Sequence, residues 1–177
     1  MRRARTAALI VLGLAVITGV SGCTHAVEPK SWAADVCRAL SPWRSEITKL
    51  NSTAQQAMAS AKTADETRAH LIDLLDGARS ATDKATAAVR AAGVPDVDGG
   101  AVIEKRFVAS LLKISAAYAH ASSAIKALDP AHADTFYKSV GTTMTTLNNE
   151  YAQSGIDTDQ LVSPELEADF DTVSACR

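Results

Sequence analysis

Apolar residues spaced alternately three and four apart run through this sequence from residue 31 onward, and that rhythm admits little besides packed helices. Ala33, Val36, Leu40, Trp43, Ile47, Leu50, Ala54, Ala57 and Ala61 make the first such seam. Residues three and four apart share one face of a helix, so each seam is a stripe that a neighbour must cover. Pro42 falls inside this stripe. Proline lacks the amide hydrogen of a helix interior. The first helix is therefore expected to kink there, or to restart with Ser41 as N-cap and Pro42 at the first position.

The later segments carry their own punctuation. Thr63-Ala64-Asp65-Glu66 is a capping-box sequence and opens a second helix with the seam Leu71, Leu74, Ala78, Ala81, Ala85, Ala88 and Ala92. Gly93 and Pro95 end it, and Asp98-Gly99-Gly100 is a break. A third helix carries Phe107, Leu111, Ile114, Tyr118, Ala121, Ile125 and Leu128, up to the interruption at Asp129-Pro130. A fourth carries Ala133, Tyr137, Val140, Met144, Leu147 and Tyr151, with Gly155 as its stop. Ser163-Pro164-Glu165 then signals a short fifth helix with Leu166, Phe170 and Val173 on one face. Four long amphipathic helices joined by short breaks predict an all-α, up-down-up-down four-helix bundle with a fifth helix added at its C-terminus.

The first 22 residues follow different rules. Met1-Arg2-Arg3-Ala4-Arg5 is basic, an almost unbroken apolar run extends from residue 6 to 20, and small residues follow, which is the layout of a secretory signal. The apolar run is shorter than the roughly 20 residues a membrane-crossing helix needs. Val20-Ser21-Gly22-Cys23 resembles the lipobox of bacterial lipoproteins: an aliphatic residue, two small ones, then cysteine. That resemblance implies cleavage before Cys23, a diacylglycerol thioether on its sulfur and acylation of the new amine, as with palmitate. Two or three acyl chains hold a protein to a bilayer far more firmly than one. The implied localisation is the cell membrane, lipid-anchored on its extracytoplasmic side. Residues 1–22 are thus read as the signal, 23–30 as a lipidated tether containing Pro29, and 31–177 as the helical domain.

Without the signal and its three arginines, 155 residues remain, with 15 basic against 20 acidic side chains and a net charge of −5. A nucleic-acid binder would show the opposite balance. Of the three cysteines, lipid takes Cys23, and in an oxidising compartment the other two, Cys37 and Cys176, are expected to pair. Closing a loop of that length is worth about 5 kcal/mol on the chain-entropy estimate. The topology agrees. In an up-down-up-down bundle helix four ends where helix one begins, so a short returning fifth helix brings Cys176 within reach of Cys37.

Candidate chemistry is sparse. Asp65, Glu66, His70, Asp129, His132 and Asp134 gather at the end of the bundle away from the tether, where carboxylates and imidazoles can ligate a cation. Acidic residues at helix N-termini answer the helix dipole just as well, so no metal is expected. His120 lies at a seam's edge and His25 in the tether. There is no Gly-x-Ser-x-Gly elbow and no glycine loop with a phosphate-binding lysine, so neither an enzyme nor a bound cofactor is expected. Trp43 sits on the seam and reads as core. Trp32, one turn into the helix, is expected to meet either the lipid headgroups or helix five. The run Thr142, Thr143, Thr145, Thr146 reads as a solvated face.

The Trp32…Cys37…Trp43 opening and the C-terminal Cys176 resemble small alanine-rich helical lipoproteins and secreted proteins of actinobacteria. That resemblance implies location and fold, not mechanism. The expected role is a non-enzymatic interaction or structural module at the envelope, with a protein partner there. The alternative is a carrier for a lipid or small apolar ligand between the helices, in a pocket lined by Tyr118, Tyr137, Met144 and Tyr151.

Overall fold

The computed structural model describes residues 26–155 and 163–176. Cys23, His25 and the proposed signal lie outside the described residues. The elements are β1 (Ala26–Val27), α1 (Pro29–Ser60), α2 (Ala64–Ala91), β2 (Val94–Pro95), α3 (Gly100–Lys126), α4 (Ala133–Ala152), α5 (Pro164–Thr172) and a single 3-10 turn, Ser174–Cys176. The fold is the expected all-α bundle with a short fifth helix, closed by a disulfide between Cys37 and Cys176 whose Cα atoms stand 5.0 Å apart.

Helix α1 begins earlier than its seam implies. Pro29 occupies the first turn, where its missing amide hydrogen costs nothing, and the Glu28 carboxylate accepts from the amides of Lys30 (3.2 Å) and Ser31 (2.7 Å). Just before it, Ala26 and Val27 pair in parallel with Val94 and Pro95, and the Asp96 amide donates to the Val27 carbonyl at 2.8 Å. Residues 26–30, expected in the tether, therefore belong to the fold. Nor does the helix restart at Pro42: α1 is unbroken from Pro29 to Ser60. Ser41 and Pro42 are exposed, as is Arg38, whose carbonyl loses its helical partner and can turn to water instead.

The α2 box forms in a shifted version. Thr63 Oγ1 accepts from the Glu66 amide (3.1 Å), and the Glu66 carboxylate accepts from the amide of Lys62 (2.6 Å) rather than that of Thr63. At the other end of α2, Gly93 turns left-handed (φ 78°) and its carbonyl accepts from Trp32 Nε1 at 2.8 Å. Gly100 must remain a glycine, because a Cβ there would collide with the Pro95 carbonyl oxygen.

The core has two parts. At the base, where α1 begins, Trp32, Val36, Leu40, Val89, Phe107 and Leu111 pack with Leu166 of α5. Trp32 is fully buried and meets Phe107 and Phe170 edge-on at ring separations of 5.7 and 6.0 Å, while those two rings stack on each other. Trp43, read as core, is only half-buried and donates to Thr82 Oγ1 at 3.0 Å. The distal core joins Leu71 and Leu75 of α2, Ala117, Ala121 and Ile125 of α3, and Leu147 of α4.

Between α2 and α3 run two polar rungs a heptad apart. Ser115 Oγ donates to Asp83 Oδ1 (2.5 Å) and Ser122 Oγ donates to Asp76 Oδ1 (2.6 Å), where Lys126 Nζ also donates to Oδ2. These rungs fix the antiparallel register, since a slide of either helix leaves buried serine hydroxyls unpaired.

Helix α4 departs most from its seam. Phe136 and Leu147 are its buried residues, while Ala133, Tyr137 and Tyr151 are exposed. It packs chiefly on α3 and touches α2 lightly, and α1 and α4 make no substantial contact. At the base, α5 takes the place beside α1 that a fourth wall would occupy. Between α1 and α4, among the described residues, a groove remains.

Candidate functional site

That opening is the candidate site. It is a groove of about 330 Å³ to which all four long helices contribute. Its apolar lining is Ile47 of α1, Leu74, Leu75 and Ala78 of α2, and Met144 and Leu147 of α4. Four polar side chains complete the lining: Asn51 on α1, Tyr118 on α3, and Asn148 and Tyr151 on α4. The groove exists because α4 spends its larger apolar residues on α3, so the half-buried Ile47 and Leu74, both seam residues, are left without a partner helix.

The electrostatics are those of an uncharged site. No charged side chain lines the groove among the described residues. Neither phenol and neither carboxamide makes a hydrogen bond to another described residue. Burial pushes the Tyr118 phenol up to about 12, with the neighbouring Tyr151 adding to it, and burial raises Tyr151 as well. Both rings are therefore neutral donors at any physiological pH.

Three of the four residues expected to line an internal pocket do meet here: Tyr118, Met144 and Tyr151. Tyr137 does not. It lies near the distal end, 49% exposed, edge-on to Phe136, with its hydroxyl 3.5 Å from Thr67 Oγ1. The fourth helix turns Phe136 inward instead, a choice its periodicity left open. Asn51 and Asn148 were not singled out by their spacing. The signal available for them was a carboxamide beside an apolar seam.

The other candidates disperse. His132 Nδ1 stands 3.2 Å from Asp129 Oδ2, His120 Nδ1 stands 3.2 Å from Glu150 Oε2, and Glu66 is occupied by its cap. The distal carboxylates and histidines do not converge: among the described residues no three His, Cys, Asp or Glu side chains stand close enough to hold a metal ion. The threonines of α4 bond their own helix, Thr142 to the Lys138 carbonyl, Thr143 to Ser139, Thr145 to Gly141 and Thr146 to Thr142. That face is self-satisfied.

A second groove, about 490 Å³, lies between α1 and α2 around Pro42 and Trp43. Its wall is mainly small side chains and its rim carries Arg38, Glu46 and Lys84. Farther along the same pair the helices close up, since a Cβ on Gly77 would come within 2.8 Å of Leu50 Cδ2. No helix among the described residues is long and apolar enough to cross a membrane. Compared with known proteins, the chain matches no family model, no curated relative and no solved structure.

Proposed function

We propose that the chain is a lipid-anchored module of the cell envelope, attached through Cys23 on the extracytoplasmic side, and that its bundle works by binding rather than by catalysis. The observation that supports it most is the early start of the fold. Strand β1 begins at Ala26, so only Thr24 and His25 separate it from the lipobox cysteine, a reach of about 11 Å when extended. Such a short link holds the base of the bundle at the headgroups, with the distal turns pointing away and the grooves facing sideways. The Cys37–Cys176 disulfide is at home in the oxidising compartment this reading requires.

The test is metabolic labelling of the full chain with an alkyne palmitate in its bacterial host. Label and membrane fractionation should both be lost in Cys23→Ser. A Cys23→Ser chain that stays in the membrane fraction overturns the reading.

A second reading, that the module carries a small ligand, is favoured by the α1/α4 groove. Among the described residues the large exposed apolar side chains are Val102, Leu112, Tyr137 and Tyr151, distributed over α3 and α4. Native mass spectrometry of gently purified chain should then show bound mass that is absent after denaturing extraction. A chain that carries nothing returns the module to the partner-binding role.

A further inference from the structure

We infer that the α1/α4 groove is a site for a small uncharged amphiphile, an apolar ring or short chain bearing one or two hydrogen-bonding groups. The inference rests on the second reading above and narrows it to a chemical class. Three features of the lining select that class.

The first is the absence of charge. An anion or cation entering the groove sheds water and meets no opposite charge among the described residues, which is costly. The second is a set of polar groups that make no hydrogen bond to another described residue. Tyr118 and Tyr151 offer hydroxyls, and Asn51 and Asn148 offer both donors and acceptors. A pure hydrocarbon would take water from the half-buried Tyr118 hydroxyl and return nothing, whereas a ligand with a hydroxyl, amide or carbonyl group can bond it and reach the exposed Asn51, Asn148 and Tyr151 as well. Tyr118 holds its proton up to about pH 12, so its donor is permanent. The third is size. About 330 Å³ is at the small end of ligand pockets, which suits a small molecule and not a two-chain lipid.

The chain reports on this site by itself. Besides Met1 in the proposed signal its methionines are Met58 and Met144, and of these two Met144 lines the groove. The experiment is ¹³C-methyl methionine NMR of the full, oxidised chain in lipid nanodiscs, titrated with 1-naphthol, naphthalene and 1-naphthoate. The Met144 signal should shift saturably with 1-naphthol. Naphthalene should bind about two- to tenfold more weakly for each hydrogen bond forgone. The naphthoate anion should leave Met144 unmoved.

Tyr118→Phe and Tyr151→Phe together should lower 1-naphthol toward the affinity of naphthalene, and Asn148→Trp, at an exposed position of the lining, should abolish the shift. An unchanged Met58 signal certifies that these variants are folded. Equal binding of naphthoate, or tyrosine variants with no effect on naphthol, overturns the inference. So does a Met144 shift that follows protein concentration alone, which would assign the groove to a second copy of the chain. If the isolated chain proves to carry a charged molecule, the carrier reading stands and the class inferred here falls. If it carries nothing and no probe moves Met144, both fall.

Discussion

Replacing Trp32 with phenylalanine should destabilise the bundle far more than the same change at Trp43, although the helical seam marks Trp43 as the core residue. Trp32 is 0% exposed and its indole N–H is the donor for the Gly93 carbonyl at 2.8 Å. Phenylalanine leaves that carbonyl unpaired at a partly buried helix end, a cost of about 1–2 kcal/mol. The smaller ring also opens roughly 40 Å³, about 1 kcal/mol at the usual cavity cost. Loosened edge-on contacts with Phe107 and Phe170 take the total to about 2–4 kcal/mol. For a domain of this size that lowers Tm by roughly 5–15 °C.

Trp43 is half-buried, and the acceptor it would abandon, Thr82 Oγ1, keeps its own bond to the Ala78 carbonyl at 2.8 Å. The expected loss there is about 1 kcal/mol. Urea unfolding followed by circular dichroism, with the disulfide intact and the slopes compared, measures both. Equal costs, or a larger one for Trp43→Phe, would refute the assignment of the base core to Trp32.

Other outcomes follow from the same contacts. Asp76→Ala should cost about 1–3 kcal/mol by orphaning the buried Ser122 hydroxyl, whereas Asp76→Asn, which keeps the acceptor oxygen and loses only the exposed Lys126 pair, should cost less than about 1 kcal/mol in the same denaturation assay. The Lys126 and Ser122 hydrogen bonds hold the Asp76 carboxyl below the usual range, so its contribution is present above the ordinary aspartate pKa and disappears as pH falls through the lowered one. Tyr118 behaves in the opposite sense: the unfolded phenol ionises near 10 and the folded one at about 12, so stability should fall as pH rises between them, and Tyr118→Phe should reduce that slope, leaving the part due to the raised Tyr151. Phenolate absorbance titration reads it directly. Cys37→Ala with Cys176→Ala should lower stability by up to about 5 kcal/mol. Hydrogen exchange should then show the α5 amides, anchored mainly by Leu166 and Val173, losing protection first.

Local physics was legible without the structure. Capping residues act on their own turn, so Thr63 with Glu66 and Ser163 with Leu166 mark real helix starts. Two cysteines in a chain of this kind pair, and Leu166 and Val173 are buried as their spacing predicts. The candidate groove was half legible. Tyr118, Met144 and Tyr151 lie there, but Asn51 and Asn148 carried no signal of their own, because a carboxamide near a seam reads the same whether it faces water or a cleft.

By itself, the sequence determined the number and type of the helices, most of their ends and the cysteine pairing, because each depends on residues within a few turns or on chemistry that has one outcome. Tertiary packing decided the rest. A helical stripe is wider than any one neighbour, so which edge is covered depends on where other helices lie. Phe136 turned inward rather than Tyr137, and Val89 rather than Ala88. Trp32 outranked Trp43 because α5 arrives beside it from the far end of the chain. Ala26 and Val27 became a strand only because Val94 and Pro95, distant in sequence, present matching backbone groups. The groove between α1 and α4 has the same origin: no single helix encodes a gap, which appears only where two stripes fail to meet.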